Sequence, residues 1–320
     1  VSGLGVEWSV HIPSDGLAAT PIVIDGVIYM TSSFARVWAI NAETGEQMWM
    51  FDPQAGVHNS FANSYSARIN KGVAVSKGKV YVGSPDCRLI AINADTGKQI
   101  WEKLTCDPSA EYAITGAPRV ANGKVFIGNG VSDYGARGYV SAYAGDTGKL
   151  LWRFYTVPGN PDNPHENEIL KMAAGTWADG WAKNGGGSAW DAIVYDAELN
   201  QLYIGTDSAL PWDVSVRSPG EGDDLFTNSI IALDADTGKY IWHYQTVPAD
   251  AWDLNAANHM ILADLDVSGK KEKVLMQAPK NGFFYLLERR TGKLLSAEKY
   301  VKVTWASHID MKTGRPIENQ

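Results

Sequence analysis

Residues 89–101 read LIAINADTGKQIW, and this pattern decides the fold because it returns several times along the chain. An apolar segment of strand length ends at Asn93, an Ala-Asp-Thr-Gly turn follows, and the chain returns as a second segment that ends at Trp101. Gly97 stands where such a turn needs a positive φ angle, which glycine adopts at no steric cost. Each copy therefore predicts a β-hairpin that closes with a tryptophan.

The copies recur at nearly regular intervals. Successive Thr-Gly pairs are about fifty residues apart, except for one interval of about ninety. Further strand candidates bounded by Gly or Asp lie between the hairpins. A strand-containing repeat of this length is typical of a four-stranded β-propeller blade, and bulky indole rings suit the packing of one blade on the next. The copies are VWAINAETGEQMW (37–49), LIAINADTGKQIW (89–101), VSAYAGDTGKLLW (140–152), IIALDADTGKYIW (230–242) and FYLLERRTGKLLS (284–296), which has Ser296 in place of tryptophan.

Composition excludes several classes of protein. The chain has 320 residues and a formal net charge of −8, with 45% hydrophobic residues, which is typical of a globular protein. The acidic balance argues against nucleic-acid binding, which depends on Lys and Arg at phosphates. No apolar run reaches the roughly 18 residues of a membrane span. We predict one all-β propeller domain over residues 1–320. We also predict that the irregular loop at 156–188 has a functional role.

Cysteine and histidine content restricts the cofactor classes. Cys87 and Cys106 are too few for a disulfide framework, and the sequence leaves open whether they are free or bridged to each other. The six His residues show no zinc-like spacing. No Cys-x-x-Cys-His occurs, so these residues bind no c-type haem.

The repeats and the segments between them resemble the quinoprotein alcohol dehydrogenases, which use pyrroloquinoline quinone (PQQ). The resemblance covers essentially the whole chain, and it implies an eight-bladed ring of which this chain supplies about the first five blades. The chain then looks like an amino-terminal portion, incomplete at its C-terminus. Segments that match the family in order and spacing include GARGYVSAYAGDTGKLLWRFYTVPGNP, NGGGSAWDAIVYDAELNQLYIGT, SPGEGDDLFTNSIIALDADTGKYIWHYQTVPADAWD and QAPKNGFFYLLERRTGKLLSAEKYVKVTWASHIDMKTGRPIEN.

The resemblance assigns contacts to a flat, tricarboxylate quinone. Trp190, in GGGSAWD, matches the ring that lies flat under the quinone, and the three preceding glycines would let the backbone approach closely. Ser188 and Thr115 match hydroxyl residues that bond the cofactor.

Two lysines complete the cofactor assignment. Lys280, in QAPKNGFFYLL, matches a cation near the quinone oxygens, and the adjoining proline and apolar run predict that it is buried and aimed at the site. Lys71 stands where the family has a cofactor-binding arginine.

The resemblance also implies a general base and a metal site. Asp253, in VPADAWDLN, matches the catalytic aspartate that takes the hydroxyl proton of the alcohol. Asp133, Asp207 and Ser208 fall at or beside the metal-ligand positions, and Asp253 is the fourth ligand. Oxygen ligands suit a hard cation such as calcium. Lanthanide-using members carry an extra Asp where this chain has Asn255, which favours calcium.

Several positions depart from the family pattern. Asp133 and Ser208 replace metal-binding Glu and Asn, Ala18 replaces a cofactor-contacting Glu, and Tyr65 and Ser66 stand where many members have two adjacent cysteines. These changes favour the alternative of a non-catalytic propeller that serves as a binding scaffold.

The expected function is a periplasmic, PQQ- and calcium-dependent oxidation of a small alcohol. The retention of Asp253, Trp190 and Lys280 favours this enzyme over a scaffold, which has no need for all three. Electrons would pass to a cytochrome c or to a haem domain.

Overall fold

The structure is a computed structural model that describes residues 3–55, 68–131, 135–220, 222–267 and 269–319. Within these residues the chain forms five four-stranded sheets and one two-stranded sheet, which confirms the predicted all-β architecture and the predicted number of blades. The strands are β1 (Ile22–Ile24), β2 (Val27–Thr31), β3 (Val37–Asn41), β4 (Gln47–Phe51), β5 (Ala74–Ser76), β6 (Lys79–Gly83), β7 (Arg88–Asn93), β8 (Gln99–Leu104), β9 (Arg119–Ala121), β10 (Lys124–Gly128), β11 (Tyr139–Ala144), β12 (Leu150–Tyr155), β13 (Ile193–Asp196), β14 (Gln201–Gly205), β15 (Ser229–Asp234), β16 (Tyr240–Gln245), β17 (Met260–Val267), β18 (Lys270–Gln277), β19 (Phe283–Glu288), β20 (Leu294–Lys299), β21 (Ala306–Ile309) and β22 (Pro316–Glu318).

Each four-stranded sheet is a simple meander. The strands pair in chain order, β1 to β4, β5 to β8, β9 to β12, β13 to β16 and β17 to β20, and β21 pairs with β22. The chain divides into two compact units, residues 1–125 with 144–149, and residues 126–143 with 150–320. The first two sheets belong to the first unit, and the last two four-stranded sheets belong to the second.

The middle strands of a sheet are more deeply buried than the outer ones. In the second sheet, residues 89–92 of β7 are fully buried, whereas most of the outer strand β8 is exposed. Burial of consecutive residues means that both faces of a middle strand are covered, as expected where sheets pack face to face.

The repeated segments form hairpins, as predicted, and these supply the third and fourth strands of each four-stranded sheet. In the second sheet, the Asn93 side chain accepts hydrogen bonds from the backbone N–H groups of Asp95 (3.1 Å) and Thr96 (2.8 Å), which fixes the turn. Gly97 follows with a φ of 69°. The corresponding glycines of the other repeats, Gly45, Gly148, Gly238 and Gly292, have φ values between 68° and 74°.

Each repeated tryptophan packs on the turn glycine of the next repeat. A Cβ atom on Gly97 would lie 2.8 Å from Cδ2 of Trp49, so only a glycine leaves room for the indole. The Trp49 Nε1–H donates to the carbonyl of Ala94 at 2.8 Å, in the same turn. The other docked pairs are Trp101 on Gly148, Trp152 on Gly238 and Trp242 on Gly292.

The sequence analysis missed three features of the fold. Trp8 docks on Gly45 like the other tryptophans, but it lies outside any complete copy of the repeat. A sixth Thr-Gly turn, at 313–314, connects β21 to β22, and Tyr244 contacts its glycine. The hairpin of β17 and β18 was missed because charged residues interrupt its apolar pattern.

The loop at 156–188 contains a short helix, α1 (Glu168–Ala174). Its Leu170 side chain is fully buried, and the indole of Trp177 donates to the carbonyl of Leu225 at 2.8 Å. A second short helix, α2 (Val214–Arg217), lies between β14 and β15. No helix in the described part of the chain has both the length and the apolar character needed to cross a membrane.

Cys87 and Cys106 are bridged to each other, which answers the question left open by the sequence. Their Cα atoms are 5.2 Å apart, within the usual range for a disulfide. The bridge joins the beginning of the β7–β8 hairpin to the segment that follows β8.

We predict that Gly97→Ala destabilises the protein more than Gly78→Ala does. Both glycines have a φ near 70°, so each alanine carries a similar left-handed strain of about 1–2 kcal/mol. A Cβ at Gly78 meets open space, whereas one at Gly97 displaces the Trp49 ring, which adds about 1–3 kcal/mol. The midpoint of denaturant unfolding measures both variants, and equal losses would contradict the docking interpretation.

Candidate active site

Asp253 lies at the centre of a group of polar side chains in the second unit. Its Oδ2 atom is 2.6 Å from Nζ of Lys280, and its Oδ1 atom accepts hydrogen bonds from Ser208 Oγ (2.8 Å) and Asn255 Nδ2 (3.2 Å). The structure therefore brings together Asp253, Ser208 and Lys280, which the sequence analysis placed in the site. Asn255, which was used to choose between calcium and a lanthanide, joins them.

Asp207 links this group to Trp190. Its Oδ2 atom accepts from the indole N–H of Trp190 at 3.0 Å, and its Oδ1 atom accepts from the backbone N–H of Ser208 at 2.9 Å. Asp207 and Ser208 are buried, whereas Trp190 is half-buried. A continuous chain of polar contacts thus runs from the indole to the Asp253 carboxylate.

The glycines before Trp190 allow close packing between segments of this chain. A Cβ on Gly186 would lie 2.5 Å from the Cβ of Ala209, the residue that follows Ser208. A Cβ on Gly187 would lie 2.8 Å from Oγ1 of Thr156, at the start of the 156–188 loop. The run of glycines lets the Trp190 segment and the Ser208 segment approach closely.

Lys280 is ion-paired with Asp253, but the expectation that it is buried is wrong. Its side chain is 43% exposed, and that of Asp253 is 31% exposed. Pro279 is buried and the apolar strand β19 follows, yet the lysine stem leaves this surface and reaches outward.

Three further residues hold the site in place and were not singled out from the sequence. Asp250 is buried, and its carboxylate accepts from the backbone N–H groups of Trp252 (3.0 Å) and Leu254 (2.9 Å), on either side of Asp253. Arg217 is paired with buried Asp224 at 3.0 Å. Burial raises the pKa of Asp224, and the Arg217 guanidinium opposes this shift. Ordinary surface residue types in turn-like segments gave no signal for these roles.

Three further residues were predicted to contact the cofactor: Lys71, Thr115 and Ser188. Lys71 and Thr115 lie in the first unit, where the backbone N–H of Lys71 donates to the carbonyl of Thr115 at 2.9 Å. Ser188 is fully buried, and its carbonyl accepts from the backbone N–H of Asp207 at 3.0 Å. The cofactor contacts of all three stay predictions.

Asp133, Tyr65 and Ser66 lie outside the described residues.

The donor atoms around Ser208 fit a hard cation in chemical type. The Ser208 hydroxyl lies 2.8 Å from an oxygen of Asp253 and 3.5 Å from an oxygen of Asp207, so oxygens of three residues converge there. Calcium and related cations take carboxylate and hydroxyl oxygens as ligands. In the part of the chain that the structure describes, no group of three or more His, Cys, Asp or Glu side chains is placed to hold a metal.

Comparison with known proteins identifies relatives along the whole chain. The protein-family model described as "Glucose/ethanol/alcohol dehydrogenase, beta-propeller domain", of the PQQ group, matches residues 6–307. The quinohemoprotein alcohol dehydrogenase ADH IIB of Pseudomonas putida is 53% identical over 99% of this chain and 46% of its own length. The quinohemoprotein alcohol dehydrogenase of Comamonas testosteroni is 48% identical over 99% of this chain and 45% of its own length. The chain thus spans less than half of these relatives.

Solved structures confirm the propeller fold. The quinohemoprotein alcohol dehydrogenase ADHIIG of Pseudomonas putida HK5 superposes with a TM-score of 0.90 at 53% identity, over 96% of this chain and 46% of its own. A europium-containing methanol dehydrogenase superposes with a TM-score of 0.84 at 32% identity, over 98% of this chain and 56% of its own.

We expect Ser208→Ala to lower the free energy of unfolding more than Lys280→Met does. The Ser208 hydroxyl is fully buried and donates to a carboxylate, and such a bond contributes about 1.5–3 kcal/mol. The Lys280–Asp253 pair is partly exposed, and such pairs contribute about 0–1 kcal/mol. Urea unfolding of the two variants checks this order, and a larger loss for Lys280→Met would contradict it.

Proposed function

The chain belongs to the β-propeller family of PQQ-type glucose, ethanol and alcohol dehydrogenases, and on that premise we propose that it oxidises an alcohol to an aldehyde or ketone with PQQ and calcium. The observation that carries the proposal is the Asp253 carboxylate, which is ion-paired with Lys280 and connected through Ser208 and Asp207 to Trp190. A scaffold has no use for a partly exposed carboxylate that is held by three donors.

We assign the cation to the oxygens of Asp207, Ser208 and Asp253, with Asp133 as a further ligand by family resemblance. Trp190, Ser188 and Lys280 are the proposed PQQ contacts in the second unit. When bound, PQQ would supply the two-electron acceptor, and calcium would polarise the acceptor carbonyl.

Asp253 is the proposed general base. A carboxylate oxygen of Asp253 would take the hydroxyl proton of the alcohol, and the hydrogen on the hydroxyl-bearing carbon would leave as a hydride to the two-electron acceptor that PQQ would supply. Lys280 Nζ lies 2.6 Å from Asp253 Oδ2, and Ser208 and Asn255 donate to Oδ1, so the three donors fix the orientation of the carboxylate.

We propose calcium as the cation, and not a lanthanide, because of the chemistry of Asn255. Asn255 is buried, and its amide nitrogen donates to Asp253, so it adds no charge near the proposed cation. A carboxylate at this position would add a negative charge and favour a trivalent ion.

A cytochrome c or a haem domain is the proposed electron acceptor, since three of the relatives are named quinohemoproteins. The proposed compartment is the periplasm. The Cys87–Cys106 disulfide supports this location, because disulfides persist in oxidising compartments.

We predict that Asp253→Asn lowers kcat by about 10²–10⁴-fold, because the amide cannot accept the hydroxyl proton at neutral pH. Reduction of a dye by the purified protein, supplied with PQQ and Ca²⁺ and a panel of alcohols, measures the effect. Asp95→Asn makes the same change at an exposed turn position and is expected to leave kcat unchanged.

Two results would count against this function. An unchanged kcat in Asp253→Asn would refute the assignment of the base. A protein that retains no PQQ and turns over no alcohol would instead be a non-catalytic propeller scaffold, in line with the departures at Ala18, Tyr65, Ser66 and Ser208.

A further inference from the structure

One buried guanidinium contacts both segments that carry the oxygen atoms of the proposed site. Arg217 ends α2, and its side chain is only 3% exposed. Its Nε atom donates to Asp224 Oδ2 at 3.0 Å, and Asp224 is fully buried. A buried charge pair of this kind is costly to place in a protein interior, so the remaining N–H groups need partners as well.

One nitrogen of the guanidinium, Nη1, is directed at the segment that follows Ser208. The Nη1 atom of Arg217 lies 2.8 Å from the carbonyl of Pro211, 3.2 Å from that of Ala209 and 3.3 Å from that of Trp212. The guanidinium therefore fixes the path of the chain within one to four residues of Ser208.

The same guanidinium also contacts the segment that carries Asp253. Its Nη2 atom donates to the carbonyl of Asp250 at 2.9 Å. The Asp250 carboxylate in turn holds the backbone N–H groups of Trp252 and Leu254, which flank Asp253. Asp253 has a φ of 59°, a left-handed conformation that persists only where neighbouring contacts impose it.

A second connection joins the two segments in parallel. The backbone N–H of Asn228 donates to the carbonyl of Asp207 at 3.1 Å, and its side-chain amide donates to Asp250 at 2.9 Å. Asn228 is fully buried. The Asp207–Ser208 segment and the Asp250–Leu254 segment are thus held against each other through Arg217 and through Asn228.

We propose that Arg217 is a positioning residue that sets the separation of the Ser208 and Asp253 oxygens, and with it the affinity of the site for a divalent cation. The inference rests on the proposed function, because that function places the cation among these oxygens. Among the residues that the structure describes, Arg217 contacts neither the oxygens of Asp207, Ser208 and Asp253 nor a reacting group.

Lysine cannot replace this arginine. The guanidinium presents five N–H donors in a fixed plane, and here they reach one carboxylate and four carbonyls. A lysine ammonium keeps the charge opposite Asp224 but has only three donors on one atom. Arg217→Lys therefore preserves the ion pair and releases one or both segments.

Arg289→Lys is a matched control. Arg289 belongs to the same unit, its side chain is 9% exposed, and it pairs with buried Asp196 at 3.0 Å. Its guanidinium has no contact with the residues of the proposed site among those that the structure describes. It therefore measures the general cost of exchanging a buried arginine for lysine.

The test compares the wild-type protein, Arg217→Lys and Arg289→Lys in two measurements. Hydrogen–deuterium exchange follows the backbone amides of Ser208, Trp252 and Leu254, and calorimetry with Ca²⁺ alone gives the cation affinity. We expect Arg217→Lys to speed exchange in both segments and to weaken Ca²⁺ binding by about 10- to 100-fold, the usual effect of losing a residue that supports metal ligands. Arg289→Lys is expected to change neither.

Unchanged exchange in Arg217→Lys would overturn the proposal, and so would faster exchange with wild-type Ca²⁺ affinity. A wild-type protein that binds no Ca²⁺ would count against the proposed function and against the effect on affinity. The exchange comparison would then decide separately whether Arg217 holds the two segments.

Discussion

The packing of an indole ring on a glycine Cα is the interaction on which the rest of the structure depends. In each repeat the turn must adopt a positive φ angle, and its glycine must carry no Cβ, because the tryptophan of the preceding repeat occupies that space. The indole N–H donates to a carbonyl of the same turn, for example from Trp152 to Ala235 at 3.2 Å, so the ring is fixed in position as well as buried. Large apolar area and one directed hydrogen bond together set how a repeat meets the next.

The proposed site is built from the connections that these repeats position. Asp207 and Ser208 follow β14, Asp253 follows β16, and Lys280 follows β18. Each of these strands is held in its sheet by its neighbours. The end of the strand therefore fixes the position of the first residues of the loop that follows. Arg217 and Asp250 then fix the parts of these connections that lie beyond the strand ends. Irregular segments can carry precise chemistry here because buried charged groups replace the regular backbone pairing that they lack.

The sequence predicted the fold well because its signal is local and repeated. A hairpin, its turn glycine and its tryptophan lie within thirteen residues, as in 89–101, so one segment holds the whole pattern. Trp8 escaped notice because it lies outside any complete copy of the repeat. Within the proposed site, family resemblance predicted Asp253, Ser208 and Lys280. The contacts of Arg217 reach from residue 209 to residue 250, and no spacing rule indicates them. The exposure of Lys280 was misjudged because neighbouring apolar residues report the burial of the backbone and not that of a long side chain.

Burial explains why the site depends on all of its members together. Ser208 and Asn255 are buried and direct their polar hydrogens at Asp253, and Asp207 is buried and accepts from Trp190 and Ser208. Removal of the Ser208 hydroxyl or the Asn255 amide takes away one of the two donors to Asp253 Oδ1. Removal of the Asp207 carboxylate takes an acceptor from the backbone N–H of buried Ser208, which costs more than the lost bond alone. Asp253 and Lys280, by contrast, are partly exposed, which suits the proposed role of Asp253 as a base that meets a substrate. The buried members therefore fix the geometry, and the exposed pair is left free to take part in chemistry.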